Sequence, residues 1–104
     1  MAYAEDYSDK EPSRLEVEAL PGATLLEFGN PWCAQPLISE ALETQLSVRH
    51  FKVSDASGRR LGRSFRVKLW PTLVFLKNGG EVSRLVRPTT VDAIRDALAG
   101  IARD

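Results

Sequence analysis

Blocks of apolar residues, separated by short polar turns, divide the chain into segments of strand and helix length. The apolar run 23–28 is bounded by glycines and has the length of a central strand buried on both faces. Before it, Ser13 and Glu16 match a capping box, which predicts a short helix ended by Pro21-Gly22. The apolar face of that helix is predicted to consist of Leu15, Ala19 and Leu20.

A second helix and a second strand follow. Residues 36–45 carry apolar side chains at helical spacing, and this helix is predicted to start at or near Cys33. Its apolar positions are Leu37, Ile38, Ala41, Leu42 and Leu46. Residues 48–54 are mostly of types that favour strands, so a strand is predicted there. The side chains predicted to be buried on it are Val48, Phe51 and Val53.

The C-terminal half predicts a short helix over 59–65, then two strands over 72–76 and 81–87 joined by the turn Asn78-Gly79-Gly80. A final helix is capped by Thr89 or Thr90. Its apolar stripe consists of Val91, Ile94, Leu98 and Ile101. The order α-β-α-β-α-β-β-α fits an α/β sandwich with helices on both faces of a mixed sheet. Residues 1–11 lack periodicity and are predicted to be a loose N-terminal arm or a short edge strand.

Composition narrows the classes of protein. The 104 residues, 43% of them hydrophobic, suffice for one core, so a single domain over residues 1–104 is expected. The 14 basic and 14 acidic residues are interleaved, which gives no reason to expect nucleic acid or a membrane as a partner. No apolar run approaches the roughly 20 residues that span a bilayer, and the N-terminus has no apolar signal segment, so a cytoplasmic protein is expected. His50 is the sole histidine, and no metal site is predicted.

Cys33 is the only cysteine, and it lies between the predicted central strand and the second helix. One cysteine cannot form an internal disulfide, so its thiol is buried packing, a reactive group or a cross-linking point between two chains. A helix N-terminus favours the thiolate through its unpaired N–H groups and its partial positive charge. Packing as a small hydrophobic side chain is the alternative.

Three segments together resemble the thioredoxin family. They are Ala23 to Gly29, Trp32-Cys33-Ala34-Gln35-Pro36 and Trp70 to Gly79, and the resemblance covers the chain from about Glu11 to Ala102. It implies a thioredoxin-like three-layer sandwich, with a mixed central sheet flanked by helices. It also implies thiol-disulfide exchange as the activity, with a protein or small-molecule disulfide as substrate and a protein disulfide or extended peptide segment as partner.

The resemblance implies roles for individual residues as well. Cys33 is the nucleophile, and Glu27 stands where the family has a buried carboxylate that assists proton transfer, with Lys52 nearby. The substrate-contacting surface consists of Trp32, Trp70 and Pro71. The resemblance also implies that the bond before Pro71 is the family's cis-proline bond. The alternatives are that Glu27 and Lys52 form a solvated pair at the ends of their strands, and that the proline is a trans residue opening an edge strand.

The family's Cys-x-x-Cys motif is incomplete, because Pro36 stands where the second cysteine is expected. The interval of 38 positions from Cys33 to Pro71 is shorter than the family's by about one and a half helical turns, or about five residues. The shortfall lies between Cys33 and Lys52. The shortening is natural, results from a deletion made in the chain, or reflects residues that the sequence omits, and the sequence leaves these three origins open.

A single thiol limits the chemistry. Cys33 can attack a disulfide, but resolution of the mixed disulfide needs an outside thiol such as glutathione, or a reductase as electron donor. No bound cofactor is predicted. The competing function is a non-catalytic binding or assembly-chaperone module that holds an extended partner segment. A monomer is expected, with a dimer joined through Cys33 as the alternative.

Overall fold

The computed structural model describes residues 12–29, 35–43, 45, 47–54 and 60–102. Its strands are β1 (Ala23–Gly29), β2 (Arg49–Ser54), β3 (Thr72–Lys77) and β4 (Gly80–Val86). Its helices are α1 (Arg14–Glu18), α2 (Gln35–Leu42), α3 (Arg60–Ser64) and α4 (Val91–Ala102). The elements follow one another in the predicted order. No helix within the described ranges combines the length and the apolar character needed to cross a membrane.

β1 lies inside a four-stranded mixed sheet with the strand order β2-β1-β3-β4. It pairs in parallel with β2 and antiparallel with β3, and β4 forms an antiparallel hairpin with β3. Every residue of β1 from Thr24 to Gly29 is buried, which agrees with an apolar run that lacks regular polar alternation. The mixed sheet, with helices on its two faces, confirms the predicted α/β class.

Side chains alternate between the two faces of the sheet and thereby produce two apolar clusters. Leu25 points to one side, where it packs with α2 and α4. Leu26 and Phe28 point to the other side, where they pack with residues of α1 and α3. β3 contributes to both clusters in the same way, with Leu73 and Phe75 on the first side and Val74 and Leu76 on the second. The layers are therefore helices, sheet and helices.

Helix α1 begins with the predicted capping box. The Glu16 backbone N–H donates a hydrogen bond to the Ser13 hydroxyl, and the Ser13 backbone N–H donates to Glu16 Oε1, each at 3.1 Å. The bond from the Ser13 backbone N–H lowers the pKa of Glu16, because it stabilises the carboxylate more than the acid. The first turn of the helix therefore has two of its unpaired N–H groups satisfied by side chains.

The apolar face predicted for α1 is wrong. Val17 is the fully buried residue, whereas Leu15 is 78% exposed and Ala19 is exposed as well. The neighbouring Arg14 packs on Phe65, with its guanidinium carbon 3.6 Å from the centre of the Phe65 ring. Five residues make little more than one turn, so a 3.6-residue period cannot be established from them and tertiary packing selects the buried face.

The other two main helices agree better with their patterns. α2 ends at Leu42, before the predicted Gln45, while Leu46 and the N-terminal residues 1–11 lie outside the described residues. Of the two candidate caps of α4, Thr90 is the one that acts, because its hydroxyl accepts a hydrogen bond of 3.2 Å from the Ala93 N–H. The side chains buried between the two helices and the sheet are Ile38, Ala41, Leu42, Ile94, Leu98 and Ile101.

The turn between β3 and β4 is a two-residue loop that packs against α1. Asn78 and Gly79 have φ angles of 50° and 82°, the left-handed values that a type I′ turn requires at both positions. The turn is also tied to the start of β1, since the Asn78 N–H donates to the Gly22 carbonyl at 2.9 Å and the Gly22 N–H donates to Asn78 Oδ1 at 2.8 Å. A Cβ at Gly79 would overlap the carbonyl oxygen of Glu18.

Gly79→Ala is expected to destabilise the protein more than Gly22→Ala. Both glycines have positive φ, but only Gly79 faces backbone atoms, and nothing lies within 4 Å of a Cβ at Gly22. The conformational penalty of about 1–2 kcal/mol is common to both variants. The overlap adds about 1–3 kcal/mol at Gly79 alone. Urea unfolding of both variants measures the difference, and equal losses would show that the turn does not press on α1.

Candidate functional site

β1, the strand that precedes the segment with Cys33, ends at the same end of the sheet at which Pro71 leads into β3. In the pairing of β1 with β3, Phe28 lies opposite Thr72, so the end of one strand adjoins the beginning of the other. Residues 30–34 connect the end of β1 to the start of α2. Trp32 and Cys33 belong to that connection and lie outside the described residues.

Glu27 is a fully buried carboxylate near the C-terminal end of β1. Its Cα pairs with that of Lys52 on β2 and with that of Leu73 on β3. Lys52 is itself only 2% exposed, so the interpretation of Glu27 and Lys52 as a solvated pair is wrong. Burial of an ionisable side chain is costly unless another polar group compensates it, so Glu27 needs a polar partner within the protein.

His50 is the buried partner that the sequence analysis missed. Its Nε2 atom lies 2.8 Å from Glu27 Oε1, and both side chains are fully shielded from solvent. The parallel register places His50 opposite Leu25, two residues along β1 from Glu27, so the two side chains meet diagonally across neighbouring strands. The available signal was strand alternation: His50 and Lys52 are two residues apart and therefore share the face towards which Glu27 points.

A contact of 2.8 Å between these two atoms requires a hydrogen between them, since two lone pairs would repel each other. That hydrogen belongs either to the imidazole Nε2, with Glu27 as a carboxylate, or to the carboxyl group of Glu27, with His50 as the acceptor. In either arrangement, one hydrogen lies between two buried atoms.

Outside this pair, the described residues contain a surface cleft but no metal cluster. The cleft has a volume of about 340 Å³, and Arg14, Arg60 and Ser64 are among its lining residues. It lies on the side of α1 and α3, whereas Glu27 and His50 point to the side of α2 and α4. Within the described ranges no three His, Cys, Asp or Glu side chains lie close enough together to hold a metal ion.

Trp70 and Pro71 precede β3 and are joined by a cis peptide bond. The Trp70 ring meets the Phe28 ring edge to face, with centroids 5.8 Å apart and planes at 80°. Part of the ring also covers Gly62, where an added Cβ would lie 3.5 Å from a Trp70 ring carbon. Trp70 is thus half-buried: part of its indole packs against the apolar cluster that contains Leu26 and Phe28, and the rest is accessible to solvent.

Arg87, the residue directly after β4, donates hydrogen bonds to the backbone of Trp70 and Pro71. Its N–H donates to the Pro71 carbonyl at 2.8 Å, and its Nε donates to the Trp70 carbonyl at 3.1 Å. β4 was predicted to include this residue, but the strand ends at Val86 and Arg87 has a φ of 51°. One exposed arginine therefore satisfies two consecutive carbonyls, a role for which the sequence contains no signal.

Trp70→Ala is expected to lower the free energy of unfolding by about 2 kcal/mol, less than the 3–5 kcal/mol of a fully buried aromatic residue because the ring is only half-buried. Leu69→Ala is the matched control, since Leu69 is adjacent and 49% exposed. That control should change stability by about 0.5 kcal/mol or less. Chemical denaturation of both variants gives the comparison, and similar small losses would argue against packing of the indole on Phe28.

Comparison with known proteins agrees with this architecture. The family model described as Thioredoxin matches residues 7–100. The structure of thioredoxin 2 from Pseudomonas aeruginosa PAO1 in its reduced form superposes with a TM-score of 0.83, at 47% sequence identity, over 93% of this chain and 94% of that chain.

More distant structures share the fold. Oxidised thioredoxin from Plasmodium falciparum matches at 16% identity over 93% of this chain and 97% of its own, with a TM-score of 0.75. A thioredoxin from Nicotiana alata matches at 23% identity over 90% of this chain and 97% of its own, with a TM-score of 0.71. A family model over nearly the whole chain and a relative at 47% identity lead to one conclusion: the chain belongs to the thioredoxin family and has the thioredoxin fold.

Proposed function

We propose that the protein is a thiol-disulfide oxidoreductase in which Cys33 is the nucleophile and Glu27 the proton relay. Members of the thioredoxin family are oxidoreductases, and membership supports a redox function of this general kind. The observation that carries the more specific proposal is the buried Glu27 at the sheet edge where the chain continues towards Cys33. A buried carboxyl group beside a thiol is suited to exchange protons with it.

The exchange proceeds in two displacements that balance in atoms and electrons. Glu27 takes the proton of the Cys33 thiol, and the resulting thiolate attacks one sulfur of the substrate R–S–S–R′. An S–S bond to Cys33 forms as the substrate S–S bond breaks, and the electron pair leaves on R′–S⁻. That thiolate receives the proton from Glu27 and departs as R′–SH, which leaves Cys33 in a mixed disulfide with R.

The second displacement requires a thiol from outside, because the sequence contains one cysteine. A donor thiolate such as that of glutathione attacks the mixed disulfide, releases Cys33 as a thiolate and forms a disulfide with R. A reductase is the alternative electron donor, and no bound cofactor enters the reaction. The proposal sets this chemistry in the cytoplasm, where such donors keep thiols reduced, and in a monomeric protein.

Substrate binding is assigned in this proposal to Trp32, Trp70 and Pro71. The accessible part of the Trp70 indole and the fixed backbone of the proline segment support it. An extended peptide that carries a disulfide would pack on the aromatic surface while its backbone meets polar groups of the segment. Neither nucleic acid nor a membrane is included as a partner.

A non-catalytic binding module is the second candidate, and the single cysteine favours it. Such a module would use the same surface to hold an extended segment of a partner protein without exchanging electrons. The two candidates differ in their dependence on the thiol: exchange requires Cys33, whereas binding requires only the surface around Trp70 and Pro71. A dimer joined through Cys33 would appear as a band of doubled mass on a non-reducing gel.

Glutathione-dependent reduction of a disulfide-containing peptide tests the proposed exchange. The wild-type protein is expected to accelerate the reaction by at least on the order of ten-fold, because an activated thiolate reacts faster than an ordinary thiol. Cys33→Ser should return the rate to that of glutathione alone, while Leu15→Ala, a change at an exposed position, should leave it unchanged. Equal rates for the wild type and Cys33→Ser would refute catalysis.

Peptide binding separates the second candidate from the first. A binding module predicts that Cys33→Ser retains affinity for an extended peptide, whereas Trp70→Phe, which keeps an aromatic ring against Phe28, weakens it several-fold through loss of contact area. Isothermal titration measures both. The intact mass of the alkylated protein accompanies this experiment: a value near 11.5 kDa plus one alkyl group corresponds to the single-thiol chain.

A further inference from the structure

The contact between His50 and Glu27 joins two ionisable groups that are both removed from solvent. The atoms His50 Nε2 and Glu27 Oε1 are 2.8 Å apart, and neither side chain has any exposed surface. The proposed exchange uses Glu27 but gives His50 no task. A histidine in this position is unlike an ordinary buried hydrophobic residue, because its ring can accept or release a proton beside the carboxyl group.

Among the described residues, the side chains packed on the face of the sheet that carries the pair are mostly apolar. The described side chains packed on this face of the sheet include Leu73 and Phe75 from β3 and the buried residues of α2 and α4. The charged residues of those helices are exposed, namely Glu40, Asp92, Arg95 and Asp96, and so is Glu43 directly after α2. Lys77 lies on the same face of β3 but beside Ala23, at the far end of β1.

Lys52 is the other buried ionisable residue on this face among the described residues. It stands opposite Glu27 in the strand register, two residues from His50. Lys52 and His50 can therefore both affect proton exchange at Glu27, and their effects are separated by changing each residue in turn. In this low-polarity environment, a change in the charge of one of the three groups alters the proton affinity of the others.

We propose that His50 is a positioning residue that orients the Glu27 carboxyl group and shares one exchangeable proton with it, so that the two side chains act as a single proton-holding pair. The inference rests on the proposed function in one respect, since the pair would supply the proton taken up by the leaving thiolate. The pair first takes the proton of the Cys33 thiol, then gives that proton to R′–S⁻, and so returns to its starting charge.

The pairing has a specific consequence for the dependence of exchange on pH. With His50 present, two side chains share one proton. Without it, Glu27 alone holds the proton, so the limb of the rate profile that reports its loss is expected to move.

Nuclear magnetic resonance titration tests the pair without reference to activity. The ring nitrogens of His50 and the side-chain carboxyl carbon of Glu27 are expected to change at common midpoints, since coupled groups titrate together. Glu27→Gln should move the His50 midpoint by about one pH unit or more. Independent midpoints, or a His50 midpoint unaffected by Glu27→Gln, would overturn the proposal.

The pH profile of kcat/KM for disulfide reduction tests the role in catalysis. His50→Gln retains hydrogen-bonding capacity but cannot titrate, and its profile is expected to shift by about one unit or more. Lys52→Met is the matched control for loss of a buried charge: it should move the profile but leave the common titration of His50 and Glu27 intact. A His50→Gln profile that coincides with that of the wild type would overturn the role of His50 in the exchange.

The two proposals fail in distinguishable ways. Common titration with no disulfide reduction in any variant would refute the proposed function and the delivery of a proton, while the pair itself would stand. Reduction by the wild type with independent titration would refute the pair and leave the function standing. If His50→Gln does not give the cooperative unfolding of the wild type, titration of the wild type and Glu27→Gln decides the question.

Discussion

Burial of β1 on both faces is the constraint on which the rest of the structure depends. The strand pairs on both edges and is covered by helices on both faces, so a polar side chain within it has no access to water. Glu27 occupies such a position and must find its polar partner within the protein. The parallel neighbour β2 provides His50 at 2.8 Å, and this contact compensates the burial of both side chains.

Two polar arrangements converge on that edge. On one side of the sheet lies the buried pair of Glu27 and His50; at the edge itself, Arg87 holds the carbonyls of Trp70 and Pro71. The indole of Trp70 closes the opposite side by packing against Phe28. The thiol exchange proposed above would benefit from both arrangements, because they keep groups in position and exclude water.

The local sequence was sufficient where one residue type has one strong structural preference. Asn78 and Gly79 are the residues that a left-handed two-residue turn selects, and Ser13 with Glu16 forms the cap that their spacing predicts. The long stripe on α4 identified its buried face correctly, but the short α1 did not, because one turn contains too few positions to define a period. The hydrophobic pattern therefore predicted that α1 exists but not which of its faces is buried.

The sequence by itself determined the family, the order of the elements, the presence of one thiol and the place of an acid in the central strand. Only the tertiary structure decided that this acid is buried and what meets it. Contact between His50 and Glu27 depends on the parallel register of two strands separated by a helix, and the grip of Arg87 depends on a left-handed residue after β4. Such contacts join residues 23 and 17 positions apart, and no local pattern encodes them, because they arise only when the whole sheet has assembled.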